Sequence, residues 1–539
     1  MSVRNGIVLL LALSTLSLLV GCGSSSPRVV PPPGGGFGPS NVNGTYVFSS
    51  AGYNVDGVFM TMVGSFVASN GSISAGTVDI VSADPNFGVF PNLSMSNPSL
   101  IIGADGRGQI NFGATVAQGS TPFTFDFVLT SSSHGLITEF DVNGTGSGTI
   151  DLQPSPVSQG ALNGFSYAFG ISGTGVSASF ATVGSVTLGA TGGVTAGMED
   201  FNNGGAPTTS AINTSSFVTV GTGTAPGTAQ LITSFGSGTY SYDVYAIDST
   251  HLKFIETDGR FFASGDAYTQ GTSIPSGTLV FAMSGSDSIG APLSVAGFMP
   301  VSSGAITGGA EDFNDDGVID STPVVFSGGF SALTGGRSQL SVATFVNGAA
   351  NDVAGNYLFA AYPFSSNGVT GVQLLEIDPT TVGPNLVTSG VAYVQSGTTL
   401  AASEGYGLNL SAINLGNGSG AFEEDDIAEF QTTSSSFTPG IVDINDEGST
   451  SYRQAFSGSY LPVTTGEYTA TTTEAGSAFV NFNFYAVNGS TFLLLEIDAG
   501  QIGTGIFEQQ NASGSPGPEP GIAMPRPPAQ ARALRRKLN

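Results

Sequence analysis

Between residues 41 and 510, apolar side chains recur at every second position in short runs, as in Phe123, Phe125, Phe127 and Leu129. That period belongs to a strand with one buried face. In the first part of the chain it predicts strands near 45–53, 58–68, 72–82, 93–102, 108–116, 123–131, 135–142 and 146–152. Turn formers such as "SNGS", "GADGRG", "IDST" and "VNGS" punctuate the strands. Their Gly and Asn residues accept positive φ. No stretch with a helical period interrupts the series.

The pattern then repeats. Aromatic-alternating openings stand at "GTYVFSSAG" (44), "GFSYAFGISG" (164), "SGTLVFAMSG" (276) and "GYGLNLSA" (405). Each is followed, after an apolar run, by Glu-x-Asp: Glu139 and Asp141, Glu256 and Asp258, Glu376 and Asp378, Glu496 and Asp498. The glutamates are spaced by 117, 120 and 120 residues, and "DVYAIDSTHLKFIETD" aligns with "NFYAVNGSTFLLLEID" without a gap. The expected fold is therefore all-β, with four tandem antiparallel repeats at 41–154, 161–270, 274–395 and 400–510. About eight consecutive strands suit an up-and-down barrel, which closes to remove exposed edges. A β-sandwich repeat is the alternative. Each unit is long enough to bury its own core, so beads on a string are expected, with packing of neighbouring barrels as the other arrangement. A membrane-spanning barrel also uses Gly-rich alternating strands, but the chain has no Trp for interfacial girdles and ends in "RALRRKLN".

The ends have a different character. Arg4 precedes the apolar run Ile7–Val20, which is too short for a typical spanning helix. It leads into "LVGC", and Cys22 is the only cysteine in the chain, so no intramolecular disulfide can form. "LVGC" resembles the lipobox of bacterial lipoproteins, which implies a signal peptide over 1–22 and acylation of Cys22. Multiple acyl chains anchor durably where a single one is marginal. Gly23, rather than Asp, then implies the outer membrane or cell surface. Residues 23–40 form a Pro/Gly/Ser tether, and 511–539 a Pro-rich basic tail read as solvated and disordered. By its lipobox, its Y-x-F openings and its "LLEID" strands, the chain resembles multi-repeat bacterial surface lipoproteins of acidobacterial type. This resemblance covers most of 41–510 and implies an extracytoplasmic, membrane-anchored location and a domain style.

Charge narrows the chemistry. Residues 41–510 carry 38 carboxylates against 5 cations, which disfavours nucleic acid as a partner. The segment "GGAEDFNDDGVID" places Asp312, Asn314, Asp316 and Asp320 in most of a calcium-loop pattern, but its twelfth position is Pro323. Asp-x-Asn recurs at Asp200/Asn202 and Asp443/Asn445, and as Asp79 alone in the first unit. Recurrence favours a strand-ending turn, with calcium as the alternative and no other cofactor expected. The Glu-x-Asp pairs share a strand face. They are expected to face solvent, with Leu375, Ile377, Leu493, Leu495 and Ile497 as core, or else to form an acidic rim with the Asp-x-Asn turns. His134 and His251, the only histidines, each sit five residues before a unit's Glu and read as turn residues; a His–Glu zinc pair is the alternative. Nucleophile-elbow, zinc-protease and phosphate-loop motifs are absent. The functional expectation is a non-enzymatic structural, adhesive or ligand-binding module, taking a glycan or small apolar ligand within or between barrels. The alternative is a carboxylate-dependent hydrolase acting on glycans outside the cytoplasm. The sequence sets no oligomeric state.

Overall fold

The opening strand of the first unit, Gly44–Asn54, pairs antiparallel with Phe59–Ser69 on one side and with the unit's last strand, Gly144–Gln153, on the other. First-to-last pairing curls a meander into a barrel, which a sandwich would not do. The same closure joins Ser166–Thr174 to Phe262–Thr269, Gly277–Ser286 to Val387–Val394, and Gly405–Asn414 to Gln501–Gln509. The structure, a computed structural model, describes residues 36–512 apart from 118, 176–177, 235–237, 321, 349–353, 380–384, 417–420 and 475–476. Cys22, the signal segment, most of the tether and nearly all of the basic tail lie outside the described residues.

The third and fourth barrels close fully as rings of eight strands; the two-residue strand Val318–Ile319 stands as a spur on the third. The first two close except at a kinked fourth stave. Val89–Ser94 pairs back with Ser72–Ser82, whereas Ser96–Ile102 pairs forward with Arg107–Val116. The handover falls at Met95, whose N–H donates to the Gly76 carbonyl at 2.9 Å. Ala206–Ala211 and Phe217–Val218 divide the equivalent stave of the second barrel. Among the described residues helix is confined to short turns such as Gln159–Leu162.

Each barrel is filled. Tyr46, Phe48, Phe66, Phe112, Phe123 and Phe125 pack inside the first, and Tyr406, Phe430, Phe437, Phe484, Phe492 and Phe507 inside the fourth. The second and third hold equivalent apolar clusters. An aromatic interior inverts the polar lumen of a membrane-spanning barrel. Among the described residues no helix is long and apolar enough to cross a membrane.

The barrels are not beads. The second strand of each packs on the last two strands of the next: Phe59–Ser69 on His251–Glu256 and Phe262–Thr269, and Ser179–Leu188 on Val369–Glu376 and Val387–Val394. Pro292–Ser302 likewise packs on Thr491–Glu496 and Gln501–Gln509, and Phe422–Thr432 of the fourth barrel returns to His134–Phe140 and Gly144–Gln153 of the first. The four junctions therefore form a closed ring. One apolar cluster, including Val128, Tyr268, Tyr362, Leu375, Leu493 and Leu495, draws on all four barrels.

This ring reverses one expectation. Leu375, Leu493 and Leu495 face neighbouring barrels, while Leu374 and Leu494, one position away, fill their own barrels. Glu376 and Glu496 share the inward side of the strand with Leu374 and Leu494. All four motif glutamates, Glu139, Glu256, Glu376 and Glu496, are 1% exposed or less rather than solvent-facing. Strands buried on both faces lose the contrast that tells core from surface.

Candidate functional site

The residues singled out by recurrence gather at the junctions between barrels. In the strand Val194–Asn203, Phe201 points into the second barrel's core, so Asp200 and Asn202 point outward. There the Asn202 amide donates toward the third barrel, within 2.9–3.0 Å of the Glu376 carboxylate and the Glu376 and Leu386 carbonyls. Asn314 of the third barrel repeats the contact on the fourth, within 2.8–3.1 Å of the carbonyls of Glu496, Asp498 and Gln501. Asn445 of the fourth does so on the first, at 2.8 Å from the carbonyls of Glu139 and Gly144. In each case the amide fastens the loop that follows the next unit's Glu-x-Asp strand. The first barrel carries Val81 at this position and packs it instead against Tyr245, Ile247 and Ile255 of the second.

The aspartate two residues earlier makes a second bond across the same junction. Asp200 accepts from the Tyr362 hydroxyl at 2.7 Å and from Arg337 at 2.5 and 2.6 Å, both in the third barrel. Asp312 accepts from Tyr485 and, at 2.7 Å, from Asn483 of the fourth. Asp443 accepts from Arg107 of the first at 2.5 Å. Asp79 stands against Asp243 and Tyr245 of the second, and burial, with Asp243 adding to it, raises its pKa to about 8. Gly317, at φ +86°, shows how close the surfaces come, since a Cβ there would lie 2.4 Å from the Ala499 carbonyl of the fourth barrel. Replacing Asn314 by Ala leaves those three carbonyls without their donor, and is expected to cost about 1–3 kcal/mol, read as a lower urea midpoint.

The residues of the calcium pattern take part in this arrangement. Asp316 and Gly317 form a hairpin turn with positive φ, the Gly317 N–H donates to the Asn314 side chain at 3.2 Å, and the Asn314 amide is engaged with the fourth barrel. Asp320 accepts from the Phe313 N–H at 3.3 Å, and burial, followed by the charge of Asp312, pushes its pKa up to about 7. Among the described residues no three His, Cys, Asp or Glu side chains converge to hold a metal.

The motif glutamates lie at the barrel ends. Burial first and neighbouring carboxylates second raise Glu139 and Glu496 well above the usual carboxylate range, and Glu256 to about 9. Burial likewise raises Glu376, opposed by the Asp378 N–H. Their partners Asp141, Asp378 and Asp498 accept backbone N–H groups of the adjoining strand at 2.6–2.7 Å, from Thr124, Leu358 and Asn481, and Asp258 does so from Ser241 at 3.0 Å.

A buried chain of alternating charge crosses three barrels near the centre. His251 and Lys253 meet Asp266 Oδ1 at 2.6 and 3.0 Å; Lys253 also reaches Thr149 Oγ1 at 3.0 Å and Asp151 at 3.7 Å. Asp151 pairs with His134 at 2.7 Å, and the other His134 nitrogen lies 2.9 Å from Glu508 of the fourth barrel. Burial opposes the charges of Asp151, Asp266, Lys253 and His134, but their partners win. Asp151 and Asp266 are held below the usual carboxylate value, and Lys253 and His134 above their own. The two histidines are thus junction residues. His134 and Glu139 sit five apart on one strand and so on opposite faces, which denies them a shared zinc. Sequence reasoning passed over Lys253, Arg107, Arg337 and the three junction tyrosines. One signal was present: Tyr245 and Tyr485 each precede their unit's Glu by 11 residues.

No protein-family model matches the chain. No curated protein matches it either. Among solved structures, a double mutant of the vaccine antigen transferrin-binding protein B from Haemophilus parasuis Hp5 aligns over 90% of this chain and 98% of its own at 10% identity, with a TM-score of 0.21. A single mutant of that antigen gives 8% identity over 91% and 99% with a TM-score of 0.20. Intact Ap-TbpB, with its N and C lobes, gives 10% over 90% and 98% with a TM-score of 0.20. Such values carry no statement about function, which rests on this chain's own geometry.

Proposed function

We propose that the chain is a lipid-anchored, non-enzymatic extracytoplasmic body in which four barrels lock into one rigid ring that displays its outer strands to partners. The observation that carries this reading is the reuse of the recurring side chains as fasteners between barrels. The carboxylate of Glu376, one of those that a glycan hydrolase would need, is among them. At 1% exposure or less, the motif glutamates lie where a polymeric substrate does not reach. Filled interiors leave the outer surface and the spaces between barrels as the places where a glycan or other partner would bind. Cys22, followed by the Pro/Gly/Ser tether, suits attachment of the ring at a distance from the membrane.

In a bacterial host with two membranes, the full chain is expected to fractionate with membranes and to carry acyl groups on Cys22, and Cys22→Ser to become soluble. The purified body is expected to release no reducing sugar from glycan substrates. Membrane association that persists unchanged in Cys22→Ser, or turnover that survives purification, would overturn the reading.

A further inference from the structure

Where the first three barrels meet, their strands line a partly open cavity of about 90 Å³. Gly148, Gly265 and Gly390 are among the residues that line it. Two buried side chains that line it, Gln373 at 8% exposure and Tyr393 at 2%, make no side-chain hydrogen bond among the described residues. Both come from the third barrel and bring an amide and a hydroxyl to one space. Buried polar groups are almost always satisfied, so two unsatisfied groups on a single cavity call for a partner that the chain does not supply.

The charge around the cavity limits what that partner is. Asp266 also lines it, but its Oδ1 is bound to both His251 and Lys253, so the cavity presents a compensated charge rather than an open one. An anion would meet a strongly acidic body, and a cation would find Asp266 already paired. Hydroxyl groups suit what remains, since each both donates and accepts, as the Gln373 amide, the Tyr393 hydroxyl and the free Asp266 oxygen require. At roughly 10–15 Å³ of such space per water-sized group, the cavity takes about six to nine non-hydrogen atoms.

We propose that this central cavity binds a small uncharged polyol, held by Gln373 and Tyr393. The site is independent of the anchor and of the role of the ring as a scaffold. Its failure would leave that reading standing, and loss of the anchor would leave the cavity intact.

Titration calorimetry of the folded body with glycerol, butane-1,2,4-triol, erythritol and threitol tests it. Saturable binding of at least one is expected, weakened 10-fold or more in Gln373→Leu and several-fold in Tyr393→Phe. Tyr393→Phe removes one oxygen and keeps the ring, so it decides the matter if Gln373→Leu does not fold. No saturable binding of any of the four would leave ordered water as the occupant and overturn the proposal, as would unchanged affinity in a folded variant.

Discussion

Replacing Lys253 by Ala is expected to destabilise the body by about 3–5 kcal/mol, the usual cost of removing one partner from a buried ion pair. The ammonium group stands between Asp266 of its own barrel and Asp151 and Thr149 of the first. Without it, two carboxylates that are ionised in the folded state face each other across a buried junction, with His134 left to balance them. The loss propagates beyond one contact, because Asp151 also holds His134, which reaches Glu508 of the fourth barrel. Arg260→Ala is the control. Its guanidinium is 39% exposed and lies 3.8 Å from Asp258, so its removal is expected to change stability by at most about 0.5 kcal/mol. Urea unfolding of both variants, followed by far-ultraviolet circular dichroism, gives the comparison. Equal midpoints would show that the central charges are not structural.

The second large effect is an unusual pH dependence. Glu256 is raised from 4.5 to about 9, Glu199 and Glu429 to about 8, and Asp79 from 3.8 to about 8, in each case chiefly by burial. Such groups bind protons more tightly folded than unfolded. Stability is therefore greatest below their unfolded values near 4 and falls as pH rises toward 9, since the unfolded chain ionises first. His134, also raised, acts in the same direction: its stabilisation is full below about 6.5 and disappears as pH passes its folded value. Asp151 and Asp266, lowered, stabilise above their unfolded value of 3.8 and lose this only in stronger acid. The optimum is expected near pH 5, with a melting temperature roughly 5–10 °C higher there than at pH 9. A melting curve that peaks at pH 8 or above would contradict the buried state of these carboxyls.

The fold was legible because a period of two and a period near 120 residues are both carried by side chains that any strand and any copy must keep. Tyr46 and Phe48, and Leu374 and Leu494, declare a strand and a repeat whatever surrounds them. Which face of the strand met the core was less legible. Leu493, Leu494 and Leu495 are all buried, two of them against other barrels, so alternation does not distinguish the two faces of that strand. The junctions were hidden for a related reason. Asn202, Asn314 and Asn445 look like turn residues because they do end their strands, and their second bond, to a loop at least 174 residues away, leaves no local trace. Scarcity of cations was the overlooked clue. With 5 cations in the body against 38 carboxylates, each has strong reason to be placed where a negative charge must be buried, and Arg107, Lys253 and Arg337 each occupy a different junction.

Because every unit offers a front to its successor and a back to its predecessor, a head-to-tail junction appears four times, fastened by an Asn amide at three of them and by Val81 at the other. Such head-to-tail contacts either come full circle or propagate without end, and here the fourth copy meets the first. The number of copies is then a geometric quantity rather than an accident of duplication. A chain shortened by one unit would bare one front and one back that fit each other on separate molecules, and a harmless monomer would become a building block for filaments.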